Sequence, residues 1–243
     1  MKVRTPGLGS RVRARRWAFD DHVVHLTLAD QTIVPRLDEV RHWIDTIASD
    51  RPGIRAIRTG ALFPAAAARF ADAGFHVIDT LALLRNDLSR SGPQPAPPVG
   101  TARLPVRRHR EASAVDRAAF GDPWGVEHRD LGEIRHATPS HRAAARYVAG
   151  IPRRRLAAFA ISGAAGGQGY LQRLAVDPPH QREGHGRALV LDALAWMRRR
   201  RLDHGVVNTA LANAPALALY ESMGFRRLPE QLVVMQCDVA DEL

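Results

Sequence analysis

The stretch from Leu174 to Met197 narrows the fold more than any other part of the sequence. An apolar run ending Leu174-Ala175-Val176 is stopped by Asp177-Pro178-Pro179. The loop Gln181-Arg182-Glu183-Gly184-His185-Gly186 then leads, at about Arg187, into a segment running to Arg201. Its residues Leu189, Val190, Ala193, Leu194 and Met197 recur at helical spacing, with Asp192 and Arg199 opposite them. A strand, a glycine-bearing turn and an amphipathic helix in that order belong to a sheet covered by helices. Glycine lets main chain turn sharply and approach a ligand. The first amides of a helix lack partners within it, and the macrodipole favours an anion there. The segment reads either as a pyrophosphate site or as an ordinary strand-to-helix turn. Three-glycine dinucleotide spacing and the Gly-Lys-Ser/Thr of a P-loop are both absent.

The surrounding pattern supports an α/β (mixed α+β) chain. Strands are expected at Thr101 to Arg107, Ala143 to Ala149, Leu156 to Ser162, Tyr170 to Val176, Val206 to Ala210 and Leu232 to Val239. Helices are expected at His109 to Phe120 and Pro215 to Met223, with an irregular segment from Asp122 to Ser140. Ser89 to Pro98 holds four prolines and reads as a semi-rigid linker over 89–99. It divides the chain into an N-terminal part, 1–88, and a C-terminal part, 100–243. The two parts repeat. Gly74-Phe75 recurs as Gly224-Phe225, and 224 − 74 = 150. The same shift places Thr59 on Thr209, Phe70 on Tyr220, Gln31 on Gln181, and Val40, Ile44 and Ile47 on Val190, Leu194 and Met197. Residues from about 20 to 88 are therefore expected to be a half-copy of the second part.

Composition serves mainly to exclude. Cys237 is the only cysteine, which removes disulfide frameworks and multi-cysteine zinc sites and suits a reducing cytoplasm. No apolar run reaches the ~20 residues of a membrane span, and the arginines up to Arg16 lack the apolar stretch of a signal peptide. Lys2 is the only lysine among 35 basic residues, against 25 acidic ones. An excess so dominated by arginine is most simply a GC-rich genome's codon choice. With aromatic residues at 6% and none interleaved in the arginine runs, a nucleic-acid partner is disfavoured. The histidine pairs His22/His25, His136/His141 and His180/His185 show no third convergent ligand in the sequence, so no metal is expected.

The run Leu174 to Pro178, the loop Gln181-x-x-Gly184-x-Gly186, then Asn213 and Tyr220-Glu221-Ser222-Met223-Gly224-Phe225, resemble the GNAT superfamily of acetyl-CoA-dependent N-acetyltransferases. The resemblance covers residues 100 to 240. It implies that the strand before the loop splays from its neighbour and offers Leu174, Ala175 and Val176 to the pantetheine arm. It implies also that amides of the loop (Gln181, Arg182, Glu183, Gly184, His185, Gly186, Arg187) hold the pyrophosphate and that Asn213 lines the pantetheine side. Tyr220 would protonate the departing thiolate. The expected reaction is direct transfer of acetyl from acetyl-CoA to a primary amine: a protein N-terminus, a lysine or a small metabolite. The strand Tyr170 to Val176 lacks the glutamate that many relatives place there. Glu127 and His128, in the segment bordering the acceptor, are weak candidates for the base. At the 150-residue shift, Val34, Pro35 and Arg36 replace Gly184, His185 and Gly186, and Phe70 replaces Tyr220, so the first half is expected to be inert. It looks like the degenerate partner of tandem GNAT proteins. The other readings are a non-catalytic acyl-CoA sensor and, less favoured, a basic nucleic-acid-associated protein.

Overall fold

Alternation of short β-rich runs with apolar helical periods produces two units, each a mixed sheet carrying helices. The computed structural model describes residues 8–17, 20–30, 33–88, 100–121, 124–150 and 154–239. The expected linker and Gln31 lie outside the described residues.

Among the described residues, the first unit takes those up to Leu83, Ala210–Ala212 and those from Pro229 on. It contains β1 (Val12–Trp17), β2 (Asp20–Leu28), α1 (Leu37–Asp50), β3 (Ala56–Thr59) and α2 (Pro64–Asp72). It also holds most of β4 (His76–Asp87) and the end of β10 (Arg226–Asp238). β1 pairs antiparallel with β2, β2 parallel with β3, and β3 antiparallel with β10. Val40, Trp43 and Ile47 of α1 are buried in its core, with Ile44 packed against them, so the positions matched to Val190, Leu194 and Met197 lie on the face that packs. Phe70 of α2 meets Phe75 edge-on, ring centroids 5.0 Å apart.

The second unit spans Leu84–Thr209 and Asn213–Leu228. Its elements are β5 (Thr101–Arg103), α3 (His109–Phe120), α4 (His128–His136), β6 (Ser140–Val148), β7 (Arg155–Ala165), β8 (Gln168–Val176), α5 (His185–Arg199), β9 (His204–Ala210) and α6 (Ala214–Ser222). β5 to β8 form antiparallel neighbours, and β9 joins β8 in parallel. Leu104, Leu131, Phe159, Ile161 and Ala175 centre a core on the α3 and α4 side.

Several expectations need correction. β5 ends at Arg103 rather than Arg107, because Pro105 has no N–H to give and begins a 3-10 turn at Val106–Arg108. The segment read as irregular contains α4. Its start is fixed by a reciprocal cap between Glu127 and Asp130, and Leu131 alone among its apolar residues is fully buried, so no helical period stands out. β10 begins at Arg226, well before Leu232, with Pro229 inside it. Asp192 is not on an open face: it is 2% exposed and paired with Arg142, whose Nε and Nη2 donate to it at 2.5 and 2.6 Å. α5 is buried nearly all round, and the bidentate guanidinium is what permits a carboxylate there.

The later element boundaries follow the 150-residue shift, whereas the starts of β2, α1 and β3 stand 148 residues before those of β8, α5 and β9. α2 (64–72) and α6 (214–222) coincide, as do the starts of β4 (76) and β10 (226). Both helices end alike: Phe75 N donates to Phe70 O, and Phe225 N to Tyr220 O. Gly74 and Gly224 both take positive φ, +94° and +84°.

Candidate active site

The site is built where β8 parts from β9. The two strands pair only from Gln168↔His204 to Tyr170↔Val206. β8 continues to Val176, held on its other edge by β7 as far as Ala158↔Val176, so its free edge from Leu171 to Val176 faces an opening. A bulge against Ile161/Ser162 leaves Gln172 without a register partner and re-aims the residues beyond it. Leu174 and Val176 lie toward the start of α5, whereas Ala175 is 2% exposed and packs in the core. Of Ala175, only main chain faces the opening.

Beyond β8, a 3-10 turn (Pro178–His180) brings the chain to Gln181. His180 N bonds Asp177 O and Gln181 N bonds Pro178 O. Among the described residues, the amides from Arg182 to Arg187 find no protein acceptor, and the first helical bond at this end is Ala188 N to Gly184 O. Gly184 caps α5 in the left-handed region (φ +81°), and Arg182 shares that region at +67°. A non-glycine residue there costs about 1–2 kcal/mol, and such strain gathers at binding loops. Gly186 serves a different end, because a Cβ on it would lie 3.2 Å from Leu219 Cδ2 of α6. Its absence lets α6 close on the loop, as does Arg187, whose Nη1 reaches Met223 Sδ at 3.5 Å.

Asn213 caps α6, its side-chain oxygen accepting from Ala216 N at 3.2 Å. That uses one of the oxygen's two lone pairs. Tyr220 is 6% exposed, and burial pushes its hydroxyl up to about 12, an effect partly offset by the Arg173 cation. Arg173 was missed in the sequence. Its Nε and Nη2 donate to the fully buried Asp116 at 2.7 Å each, Nη2 also donates to Trp124 O at 2.8 Å, and its guanidinium stacks on Phe120 at 3.8 Å. Asp116 also accepts from Val126 N, and Ser113 Oγ donates to Val126 O. The network ties the segment before α4 to β8. An arginine in an apolar strand and an aspartate in an apolar helix face were the signals for it.

Glu127 and His128 are placed differently from expectation. Glu127 is the cap of α4 and is paired with Arg129 at 2.8 Å, and His128 is the first residue of that helix. His185 is 8% exposed, with Nε2 3.2 Å from Glu183 Oε2 and Nδ1 3.5 Å from Arg146 Nε. None of the described helices is long and apolar enough to cross a membrane.

Comparison with known proteins bears on the family. Residues 110–225 match the acetyltransferase (GNAT) family model. A mycothiol acetyltransferase of Salinispora arenicola is 32% identical over 197 residues, 72% of this chain and 62% of that protein. The ribosomal protein bS18-alanine N-acetyltransferase of Escherichia coli is 39% identical over 71 residues, 29% of this chain and 48% of its own. The chain thus spans less than two thirds of the length of these curated relatives. A tandem GNAT protein from the clavulanic acid biosynthesis pathway shares the fold at a TM-score of 0.60 and 17% identity, covering 89% of this chain and 75% of that one.

Proposed function

With a GNAT-family acetyltransferase domain at residues 110–225 as its premise, we propose that the chain transfers acetyl from acetyl-CoA to a primary amine through a single direct attack. The observation that carries this reading is the row of unpartnered amides from Arg182 to Arg187 beside the free edge of β8. Those amides and the start of α5 suit a pyrophosphate. The free edge of Leu174 to Val176 and the Asn213 amide suit the amide-bearing pantetheine arm.

In the proposed reaction a neutral amine attacks the thioester carbonyl, the C–S bond breaks, the thiolate takes a proton from Tyr220, and the proton shed by the new amide nitrogen passes through solvent to restore the phenol. A phenol at about 12 keeps its proton at any physiological pH, which is the form a general acid needs. Against a solvated thiol near 8.5, full transfer from such a phenol would be uphill by about 5 kcal/mol. A thiolate formed in the same buried wall is penalised by the same desolvation, which brings the two back toward a match. Arg173, beside Tyr220, steadies the negative charge on whichever partner holds it.

The N-terminal half is proposed as an inert, degenerate copy. Its ladder supports this: β2 and β3 stay paired from Val23↔Ala56 to Leu26↔Thr59, whereas Arg173 to Val176, 150 residues on from Val23 to Leu26, make no ladder with β9, which pairs with β8 only as far as Tyr170↔Val206. The crevice is zipped shut in the first half. Arg36 caps α1 where Gly184 caps α5, and Phe70 stands in place of the acid.

The deciding experiment is an acetyl-CoA-dependent screen of peptide N-termini, lysine peptides and small amines, read by release of free thiol. Amine-dependent thiol release supports the proposal. Tight acetyl-CoA binding with no release from any amine would favour the sensor. Gly186→Val, whose side chain would press on Leu219, should weaken acetyl-CoA binding by about tenfold or more, roughly 1.4 kcal/mol in calorimetry. Unchanged affinity would count against the loop.

A further inference from the structure

The sequence paired His180 with His185 and found no third ligand; the fold supplies one. His180 Nδ1 lies 3.4 Å from Glu183 Oε2, and His185 Nε2 lies 3.2 Å from the same oxygen. All three ligand atoms fall within 4.8 Å of one another. We propose that His180, Glu183 and His185 form a binding site for a divalent transition cation of the zinc class.

Two imidazoles and a carboxylate are a ligand set that zinc accepts, with one position left for water. Ligands of a tetrahedral ion bonded at about 2.0–2.1 Å sit roughly 3.3 Å apart, close to the two separations here. His180 Nδ1 is an independent sign: the atom is buried, makes no hydrogen bond, and lies 3.4 Å from the carboxylate oxygen. His185 is fixed in place by burial, while Glu183 is half exposed and free to swing onto an ion.

The three residues come from the 3-10 turn, the loop and the first position of α5, so one ion would staple the whole connection. The His185 ring is turned toward Arg146 of β6. In the sheet of this unit β6 lies on the side of β8 away from β9. Arg146 Nε donates to His185 Nδ1 at 3.5 Å, a contact given up when Nε2 ligates because the ring proton then sits on Nδ1. With the positive end of α5, this makes the site one of moderate affinity.

The test uses the full chain freed of metal by a chelator and titrated with Co²⁺, followed by visible absorption and by displacement with Zn²⁺. It does not depend on acetyl transfer. One saturable equivalent with the bands of a four-coordinate ion is expected. His180→Ala and Glu183→Gln should each lower affinity by at least about tenfold, with circular dichroism showing that both fold, and His22→Ala in the first unit should leave it unchanged. Absence of a saturable band, or a band that survives both substitutions, overturns the proposal.

Discussion

Tyr220→Phe should lower turnover by roughly 10²–10⁴-fold, the usual worth of a positioned general acid, while acetyl-CoA binding stays within about twofold. The substitution removes one oxygen from a helix residue that is already 6% exposed, so the packing against Phe225, at 5.8 Å between centroids, is kept. The loss should therefore fall on kcat and not on the dissociation constant measured by calorimetry. An unchanged kcat would take the acid role away from Tyr220. The same residue has a second signature. Its hydroxyl titrates near 10 in the unfolded chain and at about 12 when folded. Between those values the unfolded state has lost a proton that the folded state keeps, so stability falls as pH rises from about 10 toward 12. Tyr220→Phe should flatten that alkaline decline. Equal alkaline slopes in urea melts of the two proteins would mean that the hydroxyl is less buried than described.

Asp116→Ala is expected to destabilise the protein by about 3–5 kcal/mol, the cost of stripping one partner from a buried ion pair. Arg173 would keep its charge with 19% of its side chain exposed, and Val126 N would lose its acceptor. Asp116→Asn should cost less, since an amide oxygen can still accept from Val126 N. Denaturant unfolding followed by tryptophan fluorescence measures both, and a loss below about 1 kcal/mol for the alanine variant would show that the network carries little. Because the same network tethers Trp124 and Val126, the alanine variant should also disturb the segment that precedes α4.

Much of this site was readable in order along the chain. Gly184 and Gly186 stand out, and their two different duties, a left-handed cap and a close approach to Leu219, both follow from lacking a Cβ. The likeness of the two helix ends was readable from Gly74-Phe75 and Gly224-Phe225, because both pairs end a helix with the same main-chain bonds. α4 was not readable, since polar capping residues start it and only Leu131 is fully buried.

The order of strands and helices from β5 to β10, α4 apart, and the glycine loop were legible in the sequence alone, because period, turn chemistry and missing side chains are local properties. Tertiary structure decided that β8 and β9 separate where β2 and β3 stay closed, that Asp192 and Asp116 are buried on arginines, and that Glu183 joins two histidines. Each of these depends on which distant residue lies opposite in space, and burial and pairing across a sheet leave no mark on the spacing of letters along one strand or helix.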